Sequence, residues 1–303
     1  MNSSGLKRLK EYIEHCHECF VSNYGDVPFL RIHEVNAFER KVAQLEGRDA
    51  EIVKNIVDGH IISHQNYVDK EIFDYVLYFQ HFIRQREHFY MEEQVQYRRA
   101  VVDDGDLVDD YLMTDEGDEV TTQGGSRQLP KVQEEPGETR KYKYDRLAVV
   151  QYAERWWNDS NPAYKKFENN CTNYISQCVH AGGVPMTGFG NRTTGWWFKN
   201  NNWSYSWSVA HAFRWYLSGA KTGISAREVS SPQELLRGDV ICYDFDGDGR
   251  WQHTTVVVGK DDNNMPLVNA QTTNSRMRYW AYEDSTAWTP NIQYKFFHLT
   301  NGS

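Results

Sequence analysis

Between Thr114 and Arg140 the chain is almost entirely Asp, Glu, Gly, Gln, Ser, Thr, Arg and Pro, with nearly nothing to bury, and such a segment cannot offset the entropy of ordering itself. The 303 residues therefore divide into two regions that each need a core of their own. The expected organisation is a domain from 1 to 113, an acidic and polar linker from 114 to 140, and a second domain from 141 to 303.

The first region shows helical spacing. Leu6, Leu9, Ile13, Cys16 and Phe20 share one face, and Ile32, Val35, Phe38, Val42 and Leu45 repeat it. Ile52, Ile56 and Ile61, then Ile72, Val76, Phe79 and Phe82, continue the period, which predicts a mainly α-helical domain of three or four helices. From Glu87 to Met113 a helix competes with a hairpin turning at Asp103–Asp106, because D-D-G-D is good turn chemistry. Cys16 and Cys19, flanked by His15 and His17, are half of a zinc pattern; no second CxxC follows, and on a helix they simply share a face.

In the second region Asp145 caps a helix carrying Leu147, Val149, Val150, Ala153 and Trp157. Residues 188–205, rich in Gly, Asn, Thr and Trp, are expected to form a functional surface loop. After a short helix ending at Leu217 the period changes to two. Strands are expected at 239–245, 252–258, 267–271 and 293–299, and helices followed by antiparallel strands make an α+β fold.

The chemistry concentrates at N-N-C-T-N-Y-I-S-Q-C-V-H-A-G-G, residues 169–183. Tyr174, Ile175, Cys178 and Val179 form one helical stripe, Asn169 or Asn170 is the N-cap, and Gly182 and Gly183 are the stop. Cys171 therefore sits in the first turn, where unpaired N–H groups and the dipole favour the nucleophilic thiolate. The competing reading is a small buried hydrophobe. A thiol nucleophile needs a base and a group that orients it. His253 opens an expected strand, and Asn269 and Gln271 share a face of the next one, so after Cys171 and His253 the candidate third member is Asn269, favoured by its shorter side chain, with Gln271 as the alternative. Asn170 is the candidate support for the cysteine or its oxyanion. His180 and His211 fall in helical segments as surface or packing residues.

Asp244, Asp246 and Asp248 open a D-x-D-x-D-G calcium-loop pattern, yet its twelfth position is Thr255 where a bidentate Glu is required, so the acidic turn is the stronger reading. A net charge of −9 argues against general nucleic-acid binding. No run of about 18 apolar residues is present, so no membrane span is expected. The first twenty residues lack a signal-peptide pattern, which points to the cytoplasm; five cysteines, an odd number, suit a reducing compartment, and no motif calls for a cofactor.

Six motifs occur in order: Y-D-R-L-A-V-V-Q-Y-A from Tyr144, N-P-A-Y from Asn161, N-C-T-N-Y-I-S-Q-C with A-G-G, S-W-S from Ser206, R-G-D-V-I from Arg237 and W-Q-H-T-T-V-V-V from Trp251. By these, residues from about Tyr144 to Leu299 resemble the putative amidase domain family of spore-forming Gram-positive bacteria, a branch of the papain-like cysteine hydrolases that includes the CHAP amidases. The resemblance implies a papain-like, CHAP-like domain with nucleophile Cys171 and base His253, acting on peptide bonds of peptidoglycan stems, with a spore setting added to the expected cytoplasmic one. Asn170 stands where the family usually has Asp, and Gln271 where it has His. A retired module binding wall peptide or a spore protein, and a thiol acyltransferase making crosslinks, are the alternatives.

Overall fold

The structure, a computed structural model, describes residues 4–22, 30–113 and 141–302. The expected linker 114–140 lies outside the described residues. The chain is α+β with mostly antiparallel strands, and it forms two compact units.

The first unit takes in Met1–Asp118 and Ala281–Trp288. Its helices are α1 (Ser4–Ser22) and α2 (Ile32–Glu46). The helices expected over Ile52–Ile61 and Ile72–Phe82 are instead strands, β1 (Ala50–Asn66) and β2 (Lys70–Gln85), and of the two readings open from Glu87 to Met113 the hairpin holds, as β3 (His88–Asp103) and β4 (Asp106–Leu112); the four strands are antiparallel and in sequence order. The expectation of a mainly helical domain is thereby corrected. Ile72, Val76, Phe79 and Phe82 were a helical subset of a longer apolar run. The buried members Phe73, Tyr75, Leu77 and Phe79 alternate on β2 and pack with Leu9 of α1, Ala100 and Val102. That period of two, in mostly aromatic residues, is strand chemistry.

D-D-G-D does turn the chain, with Asp103 facing Asp106 and φ of 48° at Asp104 and 84° at Gly105, both positive as a two-residue hairpin requires. Arg31 clamps Asp109 through two hydrogen bonds of 3.0 and 2.8 Å. Buried Lys41 bridges Glu92 and Asp284, the latter at 3.1 Å, while Gln44 reaches Glu283 at 3.2 Å and Arg40 the carbonyl of Ser285 at 2.9 Å. Those bonds hold the 281–288 segment in this unit. Cys16 and Cys19 are buried on α1, and burial pushes the Cys16 thiol up to about 12.

The second unit takes in Glu119–Trp280 and Thr289–Ser303. Its helices are α3 (Arg146–Trp156), α4 (Cys171–Ala181), α5 (Tyr205–Ser208) and α6 (Ala210–Gly219). The strands β5 (Phe198–Lys199) and β6 (Asn202–Trp203) form a small hairpin. The main strands are β7 (Ser225–Val229), β8 (Val240–Asp244), β9 (His253–Lys260), β10 (Pro266–Ala270), β11 (Ser275–Tyr279) and β12 (Gln293–Thr300). Their order is β11-β10-β9-β8-β12-β7, every neighbouring pair antiparallel. β7 and β11 were not expected from the sequence.

Asp145 caps α3 by accepting from the Ala148 amide at 3.0 Å. The helix α4 starts and stops where the Cys171 and Gly182–Gly183 reading put it. Gly183 takes φ 90°, and a Cβ on Gly182 would come within 2.5 Å of Val149, so only glycine lets the end of α4 approach α3 this closely. Fully buried Asp239 fastens the rest: it accepts from Arg146 at 2.7 Å, from the amides of Leu236 and Leu299 at 2.7 and 2.9 Å, and bonds His298 at 2.8 Å. No described helix is long and apolar enough to cross a membrane.

Candidate active site

The start of α4 is fixed from outside the helix. Asn170 occupies the N-cap position but its side chain makes no cap bond; Oδ1 accepts from the Phe167 amide and from Asn173, both at 2.9 Å, and Nδ2 donates to Gln271. The hydroxyl of Thr272 accepts from the backbone amides of Asn170 and Cys171 at 3.1 and 3.2 Å. Thr272 holds φ at 91°, a conformation a β-branched residue rarely adopts, and such strain persists only where surrounding contacts enforce it. Nothing in the sequence marked Thr272. A hydroxyl two residues past the end of β10 gives no periodic signal.

Cys171 is 5% exposed, with Sγ 3.7 Å from the Thr172 hydroxyl. Thr172 in turn shares a 3.2 Å hydrogen bond with Thr254, the second residue of β9. Thus the first turn of α4 is tied to the strand that His253 opens. Around Asn170 lies a polar recess lined also by Asn173, Gln177, Gln271 and Lys165; Cys171 is not part of its lining.

His253 pairs with Tyr243 across β8 and β9, their ring centroids 5.7 Å apart, and the Phe245 ring lies 6.2 Å away. Adjacent residues of a strand point to opposite faces, so Thr254 and its partner Cys242 face α4 while His253 shares the other face with Tyr243. Burial, and then the Arg278 guanidinium, push the His253 pKa down to about 3, which keeps the ring neutral through the physiological range. The structure brings Cys171, Asn170, Gln271, Thr272, Thr172 and Thr254 together, and it stacks the His253 ring on Phe245 with Tyr243 packed at a tilt beside it.

The two carboxamides have separate tasks. Asn269 stands opposite Val256 on β9, donates to Glu154 at 2.9 Å and accepts from the Met277 amide at 2.9 Å. Gln271 donates to the carbonyls of Trp156 and Asp159 at 2.6 and 2.8 Å and accepts from Asn170. One braces β10 against α3 and β11; the other fixes the residue before Cys171.

The Asp244 carboxylate accepts from the amides of Gly247 and Gly249 at 2.9 and 2.7 Å, Asp248 from the Arg250 amide at 2.8 Å, and Asp246 from Gln252 at 3.1 Å. These acids build a turn, and the described residues hold no group of three or more metal-ligating side chains. His180 bonds the Val184 carbonyl at 2.9 Å, and His211 meets the Trp251 amide at 3.3 Å and the Trp215 indole at 3.1 Å. Most of the expected surface loop 188–205 is exposed or half-buried, but its Trp196 and Trp197, like Trp207 just after it, are core, at most 2% exposed. Burying an indole removes a large apolar area from water, and each of these finds a partner for its N–H.

A family described as "Putative amidase domain" matches residues 143–297. The chain is similar to the uncharacterized protein YhbB of Bacillus subtilis strain 168, 45% identical over 280 residues that cover 89% of this chain and 88% of that protein. It is also similar to the uncharacterized protein YjcM of the same organism, 32% identical over 142 residues, 43% of this chain and 31% of that protein. No solved structure matches.

Proposed function

The chain belongs to the family described as "Putative amidase domain", and on that premise we propose that it hydrolyses peptide amides through Cys171, with peptidoglycan stems as the substrate class. One observation carries the assignment of the nucleophile. Cys171 heads α4, and the next residue fastens that turn to the strand of His253 through the 3.2 Å Thr172–Thr254 bond. The architecture this reading implies is papain-like.

In this mechanism Sγ of Cys171 attacks the amide carbon as its proton passes to neutral His253. The tetrahedral oxyanion collapses, His253 gives that proton to the departing amine, and a thioester remains. Water, deprotonated by His253, then releases the acid and restores the thiol. Asn170 Nδ2 carries a second hydrogen beyond the one it gives Gln271, and this is the donor assigned to the oxyanion. The step asks the His253 ring to leave the Tyr243 side and come round the start of β9. Gln271 and Thr272 act by holding the backbone at Asn170 and Cys171.

A second reading has its own support. The His253 ring packs against Tyr243 and Phe245, and the carboxamides of Asn269 and Gln271 are engaged elsewhere, which suits a retired module that binds wall peptide without cleaving it. Incubation with purified muropeptides and mass spectrometry of the products separates the two. New termini formed by the wild type and absent with Cys171→Ala support the amidase; unchanged muropeptides retained by both proteins support the binding module.

A further inference from the structure

Arg214 of α6 is 7% exposed, yet among the described residues no carboxylate pairs with it. Its Nη1 donates to the Ser218 hydroxyl at 3.2 Å, and Nε is buried without a partner. The guanidinium carbon lies 3.8 Å from the centre of the Trp215 ring and 5.3 Å from that of Trp251. Stacking satisfies the faces of the cation but none of its in-plane N–H donors. An uncompensated buried cation is costly, and packing alone would be served better by an apolar residue. With Nη1 occupied, the unmet edge is Nε with Nη2, one of the forks that take a carboxylate through two parallel hydrogen bonds.

We propose that Arg214 is a carboxylate-binding residue, and that the chain's amide substrate carries a carboxylate which docks on the Nε–Nη2 edge between Trp215 and Trp251. That the carboxylate belongs to an amide substrate rests on the amidase reading; the anion site does not. Trp215 is 51% exposed and is the cover that moves to admit the ligand, whereas Trp251, 8% exposed, is the fixed wall. The position suits such a role, because α6, which carries Arg214, packs against α4, the helix that Cys171 heads.

The test uses the full chain carrying Cys171→Ala, so that binding is read without turnover. Indole N–H resonances of Trp215 and Trp251, assigned with Trp215→Phe and Trp251→Phe, are followed while N-acetylglycine or its neutral counterpart N-acetylglycinamide is added. The expected result is saturable shifts of both indoles with the carboxylate and about tenfold or more weaker binding of the amide. Arg214→Met abolishes the response, and Arg214→Lys, which keeps the charge but not the fork, weakens it by a similar factor. Equal responses to the two probes, or an undiminished response in either variant, overturn the proposal. Should Arg214→Met fail to fold, the probe comparison and Arg214→Lys still decide. Carboxylate binding, when the chain with Cys171 intact cleaves no muropeptide, leaves the anion site standing and removes the amidase reading; cleavage indifferent to Arg214→Lys leaves the amidase reading standing and overturns the docking of the substrate's carboxylate on Arg214.

Discussion

The hydroxyls of Thr172 and Thr254 meet at 3.2 Å, joining the residue after the candidate nucleophile to the residue after the candidate base. Both side chains are fully buried, so neither hydroxyl has water as a substitute. A double-mutant cycle with Thr172→Val and Thr254→Val should give a coupling energy of about 1 kcal/mol in urea unfolding. Additive losses would mean that the two hydroxyls do not act as a pair and that the start of α4 is positioned by other contacts.

Thr272 should be more demanding. Its hydroxyl serves two backbone amides, so Thr272→Val leaves two donors without an acceptor and is expected to destabilise by about 1 to 3 kcal/mol. Thr272→Ser keeps the oxygen and should lie within about 1 kcal/mol of the wild type. Melting of both variants by circular dichroism checks the order, and equal losses would show that the hydroxyl is not what sets the stability at this position.

The stop and start of α4, and the positions of β8, β9, β10 and β12, were legible because each carries its own local signal: a glycine pair, a cap position, or a run of alternation between turn residues. β1 and β2 were not, since strands of 17 and 16 residues rich in Ile, Val and Phe satisfy a period of 3.6 as well as one of two, and on β2 only the buried set Phe73, Tyr75, Leu77 and Phe79 breaks the tie; for β3 and β4 the D-D-G-D turn kept the hairpin in view beside a helix. The site was legible as a cysteine at a helix start. Which groups grip that start was not, because Gln271 and Thr272 reach Asn170 and Cys171 across about a hundred residues of chain.

Folding stability should fall as pH drops below the ordinary histidine range. His253 and His81 are both held neutral when folded, each pushed by burial from 6.5 to about 3. The unfolded chain binds those protons first, so the stabilisation is complete above about pH 6.5 and is lost as pH falls from there toward 3. Each histidine should contribute a slope of about 1.4 kcal/mol per pH unit between those limits. Urea unfolding from pH 4 to 7 should therefore show a shallower dependence in His253→Gln than in the wild type; an unchanged slope would contradict a neutral buried ring.

Lys41 is buried with Glu92 and Asp284, and it holds a segment more than two hundred residues away in the sequence. Removing one partner of a buried ion cluster leaves charge uncompensated, so Lys41→Ala should cost about 3 to 5 kcal/mol. Denaturant unfolding with a loss below about 1 kcal/mol would show that water reaches the two carboxylates.

The claim that Cys171 is the working nucleophile is tested most directly by timed alkylation of the native full chain with iodoacetamide, read by peptide mass spectrometry alongside muropeptide hydrolysis. Burial raises the thiol pKa of Cys16, Cys19, Cys178 and Cys242, which disfavours their thiolates. The account predicts that Cys171 is modified about tenfold or more faster than any of them, and that hydrolysis declines in step with its modification. Complete modification of Cys171 with hydrolysis intact, or equal slow labelling of all five thiols, would contradict it.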